Sequence, residues 1–205
     1  MLSVIIPTKD CERILVHTLA MLVSASVSGL VADVVIADAG SRDDTGEIAD
    51  IAGCTLLVSA EPLGVRLHAA AAAARGNWLL FLHPGAVIET AWAETVTRFI
   101  EETDWLDVAD ARAAVFRRAQ SAGEQAFLPA LAALVRSALG ERPLPQQGLL
   151  ISRGHYDALG GHRDDKPDPE AGLIKRIGRR NLVRLDRTIT LLGDKPRKRR
   201  ADSNT

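Results

Sequence analysis

Val34-Val35-Ile36-Ala37-Asp38-Ala39-Gly40-Ser41-Arg42-Asp43-Asp44-Thr45 is the stretch on which the fold turns. It opens with β-branched apolar residues, stops at an aspartate and breaks into a polar turn. A short apolar run bounded by turn residues reads as a strand buried on both faces. After the turn, Thr45 or Asp44 is in place to cap a helix carrying Ile48 and Ile51.

The same unit recurs on either side. Residues 3–6 form a β-branched strand ended by Pro7, and Asp10 is predicted to cap a helix beginning near Glu12. Ile14, Leu15, Thr18, Leu19 and Leu22 then repeat at helical spacing, with Gly29 just beyond. Residues 55–59 read as a third strand, the Ala-rich residues 63–75 as a helix, and residues 78–82 as a fourth strand. The order β-α-β-α-β-α-β predicts a parallel sheet with helices on both faces. Ligands of such sheets bind at the carboxyl ends of the strands, which singles out residues 7–10, 38–44 and 83–85. The second half is less regular. It predicts an amphipathic helix over 88–102, a strand over 108–116 and a helix over 120–139 interrupted by Gly123 and Pro129. A strand over 148–152, a helical turn over 155–159, a helix over 169–178 and a strand over 182–192 follow.

Composition narrows the class. The chain has 205 residues, 47% hydrophobic and 25% charged, enough to bury a core without staples. Aromatics supply only 4%, so Val, Ile, Leu and Ala must fill that core. Net charge is −1, but five basic residues crowd positions 195–200 and the rest of the chain stands near −6, unlike a nucleic-acid-binding surface. The 194–205 segment reads as a basic, disordered, solvated tail; the functional alternative is a peripheral contact with anionic lipid headgroups. Cys11 and Cys54 fall in no Cys-x-x-Cys pair and read as reduced thiols. With neither a signal-peptide pattern nor a run of about 18 apolar residues, the expectation is a cytoplasmic protein.

Three segments, in order, resemble glycosyltransferase family 2, an inverting group with the nucleotide-sugar-binding GT-A fold. Residues 3–8 (Ser-Val-Ile-Ile-Pro-Thr) look like its opening strand and Pro-Thr turn. Residues 35–45 look like its Asp-x-Gly-Ser-x-Asp-x-Thr segment. Residues 74–82 (Ala-Arg-Gly-Asn-Trp-Leu-Leu-Phe-Leu) look like the strand before its metal motif. The likeness runs loosely to about Arg187 and is closest to small stand-alone bacterial members. It implies an α/β, GT-A-like fold with a mostly parallel central sheet flanked by helices. It also implies one domain over 1–193, with a nucleotide-binding half at 1–83 and an acceptor half at 84–193. The partners implied are a nucleoside-diphosphate sugar and an acceptor that the sequence does not name.

The resemblance assigns Pro7, Thr8, Asp38, Ser41, Arg66 and His83 to the nucleotide, Gln146 and Gln147 to the acceptor pocket, and the general base to Glu170. Asp38 can accept from a uracil-type imide or a ribose hydroxyl, or can simply start an Asx-turn. Asp43 and Asp44 are either nucleotide contacts or helix caps. Arg66 can meet a phosphate or point to solvent. Glu170 behind Pro169 suits a base, with Asp164, Asp165 and Asp168 as substitutes, and equally suits an ordinary helix start.

Departures from the family pattern are concentrated in the cleft. The family's Mg²⁺ or Mn²⁺ ligand falls at Gly85, which has no side chain, so no metal ligand is assigned; a lone His83 suits those ions poorly. Gln146 stands where relatives carry an acid, and Pro169-Glu170 replaces a Glu-Asp pair. His68 and Ala70 replace an Asn and a Gly near the diphosphate. Two functions stay open: inverting sugar transfer without a metal, or a degenerate, inactive binding or scaffold module. A Rossmann dehydrogenase is excluded, because no Gly-x-Gly-x-x-Gly follows the first strand.

Overall fold

The computed structural model describes residues 1–119, 143–164 and 167–193. The expected helix over 120–139, Asp165 and the basic tail lie outside the described residues. Among the described residues the strands form one eight-stranded sheet, ordered β3-β2-β1-β4-β7-β6-β8-β5. Its first half is β1 (Leu2–Thr8), β2 (Val31–Asp38), β3 (Thr55–Val58) and β4 (Trp78–Phe81). These strands pair parallel throughout. They are joined by α1 (Glu12–Val27), α2 (Thr45–Ile51) and α3 (Leu63–Ala73). Beyond β4 the sheet is mixed. β7 (Leu149–Ser152) lies antiparallel to β4 and to β6 (Ala113–Arg118), and β8 (Leu182–Leu191) runs parallel to β6. β5 (Ala86–Ile88) closes the far edge antiparallel to β8.

Strand alternation divides the core into two layers. Val4, Ile6, Ile36, Leu80, Ala114, Phe116 and Leu150 point to the side of α1 and α4 (Trp92–Trp105). Ile5, Val35, Ala37, Phe81, Val115 and Leu149 point to the side of α3, α5 (Arg153–Ala158) and α6 (Pro169–Ile177). β1 is central and almost wholly buried, which its apolar run demands. Its Pro7 is tolerated because pairing with β4 stops at Ile5, so on that side no ladder bond is lost. Arg153 secures the opposite end of α3, where carbonyls have no helical partner. Its guanidinium donates to the carbonyls of Ala71 (2.8 Å), Ala74 (2.6 Å) and Gly76 (2.9 Å).

Four local expectations are corrected. Asp10 does not cap α1: the cap position is Cys11, and Asp10 takes a left-handed φ of 44° with its carboxylate turned to the next loop. Neither Asp44 nor Thr45 makes a side-chain cap on α2; Asp43 Oδ1 instead receives the Thr45 amide at 3.1 Å. The helix expected over 88–102 begins only at Trp92. Ile88 belongs to β5, paired with Ile189 a hundred residues away, and Ala91 breaks the chain with φ 64°. The strand expected from residue 108 likewise starts at Ala113.

Gly76 fixes how α3 returns to β4. A Cβ there would lie 2.6 Å from the Ser3 amide nitrogen and 2.8 Å from the Met1 carbonyl oxygen, both backbone. Its own amide donates to Ser3 Oγ at 2.7 Å. Gly76→Ala is expected to destabilise the fold by about 1–3 kcal/mol through overpacking, read as a lower urea midpoint at unchanged slope.

Candidate active site

β1, β2 and β4 run to the same edge of the sheet, so the loops that leave them share one rim. Asp38 ends β2 and pairs with Thr8 at the end of β1. It is 3% exposed, and its carboxylate is saturated from within. Oδ1 accepts from Thr8 Oγ1 (2.7 Å) and Ser41 Oγ (2.5 Å), and Oδ2 from the amides of Gly40 (2.8 Å) and Ser41 (2.7 Å). The amide pair makes the Asx-turn that the sequence left as one of two readings. Burial alone would raise the Asp38 pKa. The Ser41 hydroxyl and amide, the Thr8 hydroxyl and the Gly40 amide outweigh it and hold the carboxyl below its ordinary 3.8.

The loop after β1 is stitched to the loop after β2. Ser41 Oγ accepts the Asp10 amide at 2.8 Å, and Asp10 Oδ1 accepts the Arg42 amide at 2.7 Å. The Glu12 amide donates to Asp43 Oδ2 (3.0 Å), while Glu12 Oε2 accepts the Asp44 amide (3.1 Å). Lys9 Nζ donates to the Gly40 carbonyl at 2.6 Å. Arg66, in the first turn of α3, donates through Nε to the Glu61 carbonyl (3.1 Å) and through Nη1 to the Ala37 carbonyl. Burial lowers its pKa, and the charge of Asp38 works against that.

His83 follows β4 on the same rim. Its Nε2 lies 3.1 Å from Glu170 Oε1, closing a contact across 87 positions of sequence. Glu170 is placed by the start of α6, where Asp168 Oδ1 caps the Ala171 amide at 2.8 Å and Pro169 occupies the first turn. Desolvation pushes the His83 pKa down. The hydrogen bond and charge of Glu170, with the charge of Asp168, more than reverse that and raise it above 6.5. The result favours an imidazolium–carboxylate pair with side chains 25% and 11% exposed.

Gly85 has a φ of +83°, and a Cβ on it would stand 2.6 Å from the Leu192 carbonyl oxygen. A side chain reaching back toward the rim does not fit there without moving the end of β8. Among the described residues no group of three or more His, Cys, Asp or Glu is arranged to hold a metal ion. Gln147 Nε2 donates to the Phe116 carbonyl (2.8 Å) and Oε1 accepts the Leu144 amide (2.7 Å), so its amide fixes the turn into β7 while Gln146 is exposed. The Ala70 side chain is fully buried in the core beneath α3. Behind the rim, Tyr156 Oη donates to His162 Nδ1 (3.0 Å) and accepts the His162 amide (3.0 Å). Burial takes the His162 pKa to about 3 and that of Tyr156 to about 12, so both are neutral. His68, exposed on α3, stacks over Tyr156 at 6.3 Å between ring centroids.

The structure therefore brings Thr8, Asp38, Ser41 and Arg66 together at one part of the rim, and His83 with Glu170 at another. Sequence reasoning missed the His83–Glu170 contact; no local signal joins residues so far apart. Elsewhere, a cavity of about 500 Å³ lined by Trp78, Asp104, Asp110 and Arg153 opens at the amino ends of β1 and β4, away from the rim. Among the described residues no helix is long and apolar enough to cross a membrane. Cys11 and Cys54 are free thiols, Cys54 with its pKa raised by burial to about 11.

This architecture is that of GT-A glycosyltransferases. Glucosyl-3-phosphoglycerate synthase from Mycobacterium tuberculosis, solved with Mn²⁺, uridine diphosphate and glucosyl-3-phosphoglycerate, superposes with a TM-score of 0.64 at 20% identity, over 95% of this chain and 73% of that one. The same enzyme with Mn²⁺, uridine-diphosphate-glucose and phosphoglyceric acid gives 0.65 at 18%, over 96% and 73%. S. aureus TarS 1–349 gives 0.65 at 18%, over 95% of this chain and 58% of that one. At these identities the likeness defines the fold alone. No curated protein matches the chain. The family described as glycosyl transferase family 2 matches residues 3–132, well over half of the sequence. The protein belongs to glycosyl transferase family 2, and its class is that of a glycosyltransferase.

Two titrations follow. Because the Asp38 pKa is lowered on folding, its contribution to stability is present above the unfolded value near 3.8 and is lost as pH falls through the folded value. The stability gap between the protein and Asp38→Asn, from urea unfolding, is expected to shrink as pH drops below 3.8. For His83 the sign is opposite: its stabilisation is complete below 6.5 and disappears as pH rises through the raised folded value. The His83 ring signal in proton NMR should titrate above 6.5, and Glu170→Gln should bring its midpoint down.

Proposed function

We propose that this protein transfers a sugar from a nucleoside-diphosphate donor to an acceptor hydroxyl with inversion and without a divalent metal. The observation that carries this reading is the His83–Glu170 pair at the carboxyl rim of the sheet. Glu170 is a carboxylate at the mouth of the acceptor half, held by one oxygen and retaining lone pairs for an acceptor proton. In a direct displacement it takes the proton from the attacking hydroxyl as the oxygen bonds to the anomeric carbon. The diphosphate leaves from the opposite face of the sugar. His83 orients that carboxylate and brings a positive charge to the position where the family keeps its metal motif.

A metal does not fit this donor set: Gly85 offers no ligand, and its φ and the nearby Leu192 carbonyl oppose adding one. The published complexes of the mycobacterial synthase contain Mn²⁺ with uridine diphosphate. In this chain the charge of the departing diphosphate falls to His83 and to Arg66, whose guanidinium sits between β2 and α3. Thr8, Pro7 and Asp38 frame the place of the base and ribose. With the Asp38 carboxylate engaged by four internal donors, they act there by shape and by the polar rim that they hold open. Residues 1–83 form the nucleotide half and 84–193 the acceptor half of one domain. Gln146, exposed beside the buried Gln147, faces the acceptor.

A specific observation favours a second reading. The internal saturation of Asp38 leaves it no free lone pair directed at a ligand, which suits a degenerate module that keeps the fold and binds without catalysis. Calorimetric titration with uridine and guanosine diphosphates, with and without Mn²⁺, separates the two together with a transfer assay over a panel of sugar nucleotides. Transfer is expected with a donor affinity unchanged by Mn²⁺ or chelator. Glu170→Gln should lower kcat by about 10²–10⁴-fold while donor KM changes little. Diphosphate binding without transfer from any donor would establish the module instead.

A further inference from the structure

The end of β8 is tied to the turn that follows β4. His83, Pro84, Gly85 and Ala86 make that turn at the carboxyl rim, closed by the Ala86 amide donating to the His83 carbonyl at 3.1 Å, so its two ends lie within about 7 Å of each other. The Leu192 amide donates to the Gly85 carbonyl at 2.9 Å, and a Cβ on Gly85 would stand 2.6 Å from the Leu192 carbonyl oxygen. Gly85 is the position at which the family resemblance puts the metal ligand. Beyond Gly193 the sequence continues Asp194-Lys195-Pro196-Arg197-Lys198-Arg199-Arg200. Lys195 is three residues past Leu192 and Arg200 eight, and chain extends at most about 3.5 Å per residue, or about 10 Å and 28 Å. The whole basic run is therefore tethered beside the His83 turn.

Positive charge at that turn falls short of what a diphosphate requires. The His83 imidazole is matched by Glu170 at 3.1 Å, and the negative charge of Asp168 also acts on it. Elsewhere on the rim, Lys9 Nζ donates to the Gly40 carbonyl and stands 3.8 Å from Asp10, and Arg66 donates to the Ala37 and Glu61 carbonyls. Residues 1–193 sum to −4, whereas residues 194–205 hold five basic residues against Asp194 and Asp202. An anion arriving at the turn meets a negative body and, a few residues along the chain, the densest positive charge in the sequence. Three of those five residues are arginines, and a guanidinium presents a planar fork that matches phosphate oxygens.

We propose that the basic run Lys195, Arg197, Lys198, Arg199 and Arg200 binds the diphosphate of the donor at the His83–Gly85 turn, so that the chain itself supplies the positive charge that the family pattern assigns to a metal ion. The proposal rests on the reading of this rim as a donor site. The attachment point favours the diphosphate over lipid headgroups, because the run leaves the chain at the ligand-binding edge of the sheet. It also separates two kinds of recognition: the strand ends hold the nucleoside, and the basic run holds the phosphates.

The test compares the full chain with a full-length variant in which all five basic residues are glutamine (K195Q, R197Q, K198Q, R199Q and R200Q). Both are titrated calorimetrically with uridine diphosphate and with uridine, in chelator, and an equal urea midpoint checks that the fold is unchanged. The variant is expected to bind uridine diphosphate at least about tenfold more weakly, equivalent to about 1.4 kcal/mol, and to bind uridine equally well. Salt should narrow the gap, because exposed charges are screened over about 8 Å at physiological ionic strength. In the nitrogen-labelled protein the backbone amides of Arg197 to Arg200 should shift saturably with uridine diphosphate and stay still with uridine. Undiminished uridine diphosphate binding in the variant, or no shift at those amides, overturns the proposal and leaves the donor site standing. Failure of the unaltered chain to bind uridine diphosphate refutes the donor reading and takes this proposal with it. Sedimentation with phosphatidylglycerol vesicles that the variant loses, with no response of the run to uridine diphosphate, gives the run to lipid headgroups and likewise overturns it.

Discussion

The rim of this sheet depends on one buried carboxylate. Asp38 gathers the Thr8 hydroxyl from β1 and the Gly40 and Ser41 groups from its own loop, fixing the two strand ends against each other. A charge with 3% exposure is tolerable because hydrogen-bond donors surround it. The consequence spreads outward. Ser41, held by Asp38, accepts the Asp10 amide; Asp10 accepts the Arg42 amide; and Glu12 and Asp43 exchange contacts with each other's loops. A parallel sheet gives strand ends no direct chain connection, so loops at its carboxyl edge are ordered by cross-links of this kind. Here the cross-linking is done largely by carboxylates receiving backbone amides, a charge-assisted and directional contact.

The other half of the rim is organised by His83 and Glu170. They belong to a strand end and a helix start, and meet because β7 reverses against β4 and brings α6 over the sheet. The family pattern reserves this place for a metal and an acid pair. This chain answers with an imidazole, a glutamate and a glycine. Gly85 is not an empty position: its φ of +83° and its closeness to Leu192 make it part of the β5–β8 corner, where its carbonyl receives the Leu192 amide at 2.9 Å. The departures seen one by one in the sequence thus meet in one local structure, with His83 against Glu170 and Gly85 in the corner beside Leu192.

Much of the architecture was legible in the sequence. The four parallel strands and three helices of the first half follow from apolar periodicity, with their order giving the sheet and its carboxyl rim. Strand ends pointed to Asp38, Ser41 and His83, and the family resemblance added Glu170. They did not settle whether Asp38 faces a ligand or its own turn, since an aspartate before Ala-Gly-Ser satisfies both patterns. The structure places it in the turn. In the second half periodicity misjudged the start of α4, because Ile88 fits a helical face as well as it fits the edge strand β5.

What the sequence by itself determined is the fold class, the family and the edge of the sheet where chemistry can occur. These depend on interactions between residues a few positions apart. Tertiary structure alone decided that His83 meets Glu170 and that the Asp38 carboxylate is satisfied internally. Those facts depend on strand register and crossover geometry. A register shift of one residue would turn each side chain to the other face, and no local pattern encodes the partner that fixes it.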